Sequence, residues 1–193
     1  SAKAYTALET ARKFTNPFGV FVTGIDRDES AGSDSGSFKG SSAFSYTGAV
    51  MTLPTGVQAV AENNYGRPDQ ALDYLRRMTR SFSYALPGSM YEVSPDYGMI
   101  AQAWNIYAFA VPIVEQFFGI SPRASDRLIR IDPLMPVDWD VASLENVSIG
   151  GNTLSVYYEE DERQTITLRV VQKGDWDLEI PLDAQQARRA RTE

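Results

Sequence analysis

The sequence predicts a mainly α fold: helical hairpins forming part of an α/α toroid, followed by a small antiparallel β module. Three observations predict it. Residues 54–82 carry two amphipathic helical patterns separated only by Gly66-Arg67, which reads as an antiparallel helical hairpin. From Met99 a long helix follows whose residues Ile100, Ala103, Trp104, Tyr107, Ala108, Val111, Val114, Phe117 and Phe118 leave no wide polar face, so it should be buried on most sides. After Leu128 the helical period gives way to short alternating runs punctuated by turn residues.

In chain order, residues 2–14 read as a helix, with Ala4, Tyr5, Leu8 and Ala11 at helical spacing; Asn16-Pro17 stops it. Residues 18–25 are apolar and suit a short extended piece. Residues 26–45 are rich in Gly, Ser and Asp without periodicity, a long surface loop; its acids Asp26, Asp28, Glu29 and Asp34 read as solvated. Pro54 fits a first helical turn, and Gly66 a helix end. The second helix opens at Pro68 or Asp69 and sets Ala71, Leu72, Leu75, Met78 and Phe82 on one stripe. Pro112 should kink the apolar helix.

Beyond Gly119, strands are expected at 128–131, 144–149, 154–158, 165–171 and 176–180, with Gly150-Gly151-Asn152 as a hairpin turn. The polar tail reads as a frayed helix. The domains are therefore residues 1–122, helical; 123–183, β; and 184–193, tail.

Composition narrows the chemistry. The 193 residues carry 43% hydrophobic and 22% charged side chains, enough for a packed core. A net charge of −7 argues against a general nucleic-acid surface. With no Cys and no His, thiol catalysis, Cys- or His-ligated metals and a Ser-His-Asp triad are ruled out. Acid–base work falls to Asp, Glu, Tyr and Lys, and neither a metal nor a cofactor is expected. No apolar run is long enough to span a bilayer, no signal peptide is visible, and the start without Met suggests a trimmed or truncated chain.

The candidate site is the loop before the apolar helix. It carries one carboxylate, Glu92, between Tyr91 and Val93, and a helix that fixes a polar loop is a sound base for chemistry. Tyr91, Tyr97 and Trp104 lie close in sequence to it; each can stack on a sugar ring and each also suits a core. Asp96 reads as a turn residue.

The run Gly88-Ser89-Met90-Tyr91-Glu92, a Pro/Asp/Gly turn and then Ala101-Gln102-Ala103-Trp104-Asn105-Ile106-Tyr107-Ala108-Phe109 resembles the C-terminal part of α/α-toroid (six-hairpin) glycoside hydrolases, the glucoamylase, amylo-1,6-glucosidase and α-rhamnosidase-like groups. Phe117-Phe118-Gly119-Ile120-Ser121-Pro122 and the runs at 128–136 and 147–158 are similar to the exit of those toroids into a β element. The resemblance implies inverting hydrolysis of a carbohydrate, with Glu92 as the general base that activates water and Trp104 as the aromatic at the helix start. Residues 48–55 depart from the Trp-Pro run of many relatives. The family's general acid lies upstream of anything matched, so the isolated chain is expected to be inactive on ordinary glycosides. Two partners are possible, an upstream half or a second copy, the latter because so apolar a helix needs a cover. The alternative is a non-catalytic half-toroid that self-associates and binds carbohydrate. The sequence leaves the compartment open.

Overall fold

The computed structural model describes residues 2–22, 50–94, 98–181 and 189–192. The loop at 26–45 with its four acids, and Asp96 and Tyr97, lie outside them. Contacts divide the chain into two compact units, Ser1–Pro112 and Ile113–Glu193.

The first unit runs α1 (Ala2–Ala11), β1 (Thr15–Asn16), β2 (Gly19–Phe21), β3 (Val50–Met51), α2 (Thr52–Asn64), α3 (Pro68–Thr79), β4 (Val93–Ser94) and α4 (Ala103–Ala110). The four strands pair antiparallel in the order β1-β2-β3-β4. Each is two or three residues long, too short to show a period of two in the sequence. Pro68 opens α3, where its missing N–H costs nothing, and Asp69 stands in the first turn with Arg76 and Arg77 in the last, matching the helix dipole. Ala71, Leu72, Tyr74, Leu75 and Met78 form the buried face, and α2 packs on α3 and on α4. The approach to α4 is very close. A Cβ on Gly56 would lie 2.5 Å from the Ala108 Cβ, so only a glycine facing an alanine lets these helices meet.

The second unit begins in a π-helical segment, Val111–Phe117, which contains Pro112 at its start and gives the bond from Phe118 N–H to Ile113 C=O at 3.0 Å. Then come β5 (Ile120–Arg123), a 3₁₀ turn (Ala124–Asp126), β6 (Leu128–Ile131), β7 (Val141–Ile149), β8 (Asn152–Glu160), β9 (Ile166–Lys173), β10 (Asp177–Glu179) and β11 (Arg189–Thr192). Two sheets form, ordered β10-β6-β5 and β11-β9-β8-β7. The β7–β8 hairpin turns at Gly150-Gly151, and strict alternation on β8 buries Leu154, Val156 and Tyr158 against Leu168 and Val170 of β9 and Ile129 and Ile131 of β6.

Several expectations need correction. The fold is not mainly α: among the described residues strands in three sheets stand beside the helices, and helical hairpins stacked as part of a toroid are not evident. The apolar helix is not buried on most sides. Ala108 and Phe117 are fully buried, but Ile106 is 71% exposed and Met99 62%, because an all-apolar pattern cannot tell which face finds a neighbour. The β module is not purely antiparallel: β10 pairs parallel to β6, and β11 parallel to β9. The tail expected to be helical contains β11, which pairs with β9, whereas so short a polar helix is only marginal in water.

Candidate functional site

Glu92 stands immediately before β4, whose pairing Met51↔Val93 brings it beside the start of α2. The Thr52 N–H donates to the Glu92 carbonyl at 3.1 Å, and the Glu92 N–H donates to the Met99 carbonyl at 2.8 Å. The Met99 N–H in turn reaches the Glu92 carboxylate, Oε2, at 3.4 Å. The residue is thus held at its backbone from both sides, with its half-buried side chain curled over the returning loop. Gly98 makes the curl possible. Its φ is +81°, and a Cβ there would lie 2.8 Å from Glu92 Oε2 and 3.0 Å from the Glu92 Cβ.

Behind this loop lies a polar contact that sequence reasoning missed. Asn105, on α4 and buried, donates from Nδ2 to the Met90 carbonyl at 2.8 Å, while its Oδ1 accepts the Thr52 hydroxyl at 2.5 Å. One amide therefore ties the Glu92 loop, the start of α2 and α4 together. The available signal was Asn105 itself, the single polar residue in Ala103–Ala110. Buried polar groups without partners are costly, so such a residue implies bonds.

Trp104 and Val22, both partly buried, pack on Met51 and Val93, the pair that joins β3 to β4 next to Glu92. Its Nε1 is buried without a hydrogen bond. Tyr91 is half-buried beside Glu92. Of the sequence-based candidates, then, Trp104 packs on the β3–β4 pair, and Tyr91 and Glu92 directly precede β4; Tyr97 lies outside the described residues.

A second missed group is Glu62 on α2, fully buried. Its Oε2 lies 2.9 Å from Arg67 Nε but takes no aligned hydrogen bond, and its Oε1 accepts only a 3.4 Å bond from Gln58. Burial pushes the Glu62 carboxyl up, against the opposing pull of Arg67. Burial, with Glu62 as a secondary cause, also pushes the Tyr74 hydroxyl up to about 12. Arg67 forks to Glu9 of α1 as well, and holds that exposed carboxyl below its ordinary value. This cluster ties α1 to the α2–α3 link and reads as a structural brace.

Among the described residues no group of three or more acidic side chains could hold a metal, and no helix is long and apolar enough to cross a membrane.

No protein-family model matches the sequence, and no curated protein does. Among solved structures, the chain is similar to a GH78-family rhamnosidase of Bacillus sp. GL1, with a TM-score of 0.59 and 18% sequence identity. The similarity covers 74% of this chain but 16% of that one, so this chain spans about a sixth of the rhamnosidase. At this identity the likeness is one of fold.

Proposed function

We propose that this chain carries the general-base part of an inverting glycoside hydrolase site, with Glu92 as the base. The observation that carries the proposal is the double backbone anchorage of Glu92 beside the β3–β4 pair, with its carboxylate reached by the Met99 N–H over Gly98. The fold likeness to a rhamnosidase supports the choice of carbohydrate as substrate. Inversion needs two carboxyl groups roughly 6.5–9.5 Å apart, one protonating the leaving oxygen and one deprotonating the attacking water. The hydrogen bonds of Glu92 run to Thr52 and Met99, and among the described residues no acid partner is identified for it. The chain by itself should therefore leave ordinary glycosides intact, because their leaving groups need protonation.

An aryl glycoside with a dinitrophenolate leaving group needs no acid and isolates the step assigned to Glu92. The chain should hydrolyse it slowly, and Glu92→Gln should lower the rate by about 10²–10⁴-fold, the usual contribution of a general base. Equal rates for the two proteins would reject the role of Glu92. Tyr91, Tyr97 and Trp104 are proposed as sugar contacts, and their substitution should raise KM on the same substrate.

A second reading, a non-catalytic carbohydrate-binding chain that self-associates, is favoured by the exposure of Ile106 and Met99. Light scattering decides it: under this reading the wild type is a dimer and Ile106→Lys a monomer, and a monomeric wild type removes it.

A further inference from the structure

The outward face of α4 is apolar and exposed. Asn105 and Ala108 are the buried residues of this helix, and Ala108 meets Gly56 of α2. At 3.6 residues per turn the opposite side holds Ala103, Ile106, Tyr107 and Ala110. The first three are exposed and Ala110 is half-buried. Met99 and Ile100, 62% and 39% exposed, lie just ahead of the helix. No charged side chain occurs between Gly98 and Val114.

The order of residues on this face is self-complementary. Along Ala103–Ala110 a small residue stands at each end and two large ones, Ile106 and Tyr107, stand midway, so the face reads the same from either end. A two-fold axis across the helix between Ile106 and Tyr107 sets a second copy of α4 antiparallel to the first. Ile106 then meets the partner's Tyr107, and Ala103 meets the partner's Ala110. The area suits such a contact. At roughly 200 Å² for a large side chain at full exposure, Met99, Ile100, Ile106 and Tyr107 offer on the order of 400 Å². A standard interface takes about 800 Å² from each partner, a little over half of it apolar.

We infer that this face joins two copies of the chain through an isologous, antiparallel α4–α4 contact. Each copy carries a net charge of −7, so copies repel at most faces. A face without charged side chains closes with no like charges opposed and no charge buried. The same lack of cations gives an anionic lipid surface nothing to attract. The inference rests on the self-association reading and adds to it the face, the register and the symmetry. The carboxylate of Glu92 plays no part in it.

Light scattering with cysteine cross-linking tests it, because the chain has no Cys of its own. The wild type should be a dimer at micromolar concentration, and Glu92→Gln should be one too. Ala103→Cys and Ala110→Cys are prepared separately, mixed in equal amounts under reducing conditions so that subunits exchange, and then oxidised. The mixture should give several-fold more covalent dimer than either variant alone. Like positions in the two copies are offset along the helices by about 10 Å, beyond the roughly 7 Å that a disulfide bridges. Ile106→Lys should dissociate the dimer with its circular dichroism unchanged, since that side chain is largely exposed in one copy. A monomeric wild type would overturn both this inference and the self-association reading. A dimer that cross-links no better in the mixture, or that survives Ile106→Lys, would overturn this inference alone and leave self-association to another face. Loss of Glu92-dependent hydrolysis with the cross-link intact would reject only the catalytic reading.

Discussion

The two units are held together by different means. In the second, the buried residues are almost all aliphatic or aromatic, and Asn152 is its only buried polar side chain among the described residues. In the first, Thr52, Thr55, Glu62, Asn63, Ser81 and Asn105 are all buried. The sheet unit gains its stability from apolar surface removed from water, which depends on volume and tolerates much substitution. The helical unit has an apolar core as well, but adds buried polar groups that each need a specific partner, where removing one member leaves another unsatisfied. The Glu92 loop combines both, since Met90 and Val93 are buried on either side of it while Thr52, Asn105 and backbone bonds hold its polar groups.

The contrast is broken most directly by Arg67→Ala. It leaves Glu62 charged and fully buried, and should destabilise the chain by about 3–5 kcal/mol in urea melts near neutral pH. The loss should shrink in acid, where Glu62 protonates. The sign follows from linkage. Folding raises the Glu62 pKa, so the folded state keeps a proton that the unfolded chain releases, and ionisation of this group costs stability as pH rises. The window opens near the ordinary glutamate value of roughly 4.3 and closes above the raised folded value. Glu62→Gln removes this penalty, so its Tm relative to wild type should climb across that window. A difference that falls as pH rises would contradict the burial argument.

In the sheet unit the comparable test is Leu154→Ala, which opens a cavity among Val156, Leu168 and Ile129 and should cost about 2–5 kcal/mol with little pH dependence. Asn105→Ala comes next. It strands the Met90 carbonyl and leaves the Thr52 hydroxyl only its 3.4 Å bond to the Glu92 carbonyl, for about 1–3 kcal/mol. Because it also frees the Glu92 loop, amide exchange at Glu92 and Met99 should speed up by more than the global loss explains. Uniform acceleration would show that Asn105 braces the whole unit rather than the loop.

The smallest effect on stability and the sharpest on position is expected from Gly98→Ala. The new methyl group must displace the Glu92 carboxylate and force a left-handed backbone on alanine, at roughly 1 kcal/mol. Hydrolysis of the dinitrophenyl glycoside should fall well beyond that small loss of stability. An unchanged rate would separate the carboxylate's position from its proposed role.

The same division explains what the sequence reveals. The β7–β8 hairpin is legible because Leu154, Val156 and Tyr158 alternate with polar neighbours and Gly150-Gly151 marks the turn. α3 is legible from its stripe and from Pro68. The parallel pairing of β10 is not, because the short Lys173-Gly174-Asp175 link suggests a hairpin with β9, whereas the chain crosses to β6. The exposure of Ile106 escapes a pattern that is apolar on all sides. Glu92 stands out as the lone carboxylate between Tyr91 and Val93, but the bonds of Asn105 and the buried Glu62–Arg67 pair depend on contacts distant in sequence, and no local period encodes them.

The proposed role of Glu92 is tested most directly by the configuration of the sugar first released. Proton NMR at early times, before mutarotation, would follow hydrolysis of a dinitrophenyl glycoside by the wild-type chain. A base that activates water for direct displacement gives the anomer opposite to the substrate, and Glu92→Gln should slow its appearance by about 10²–10⁴-fold. Release of the same anomer as the substrate would mean that a carboxylate attacks the sugar itself, and would contradict the account.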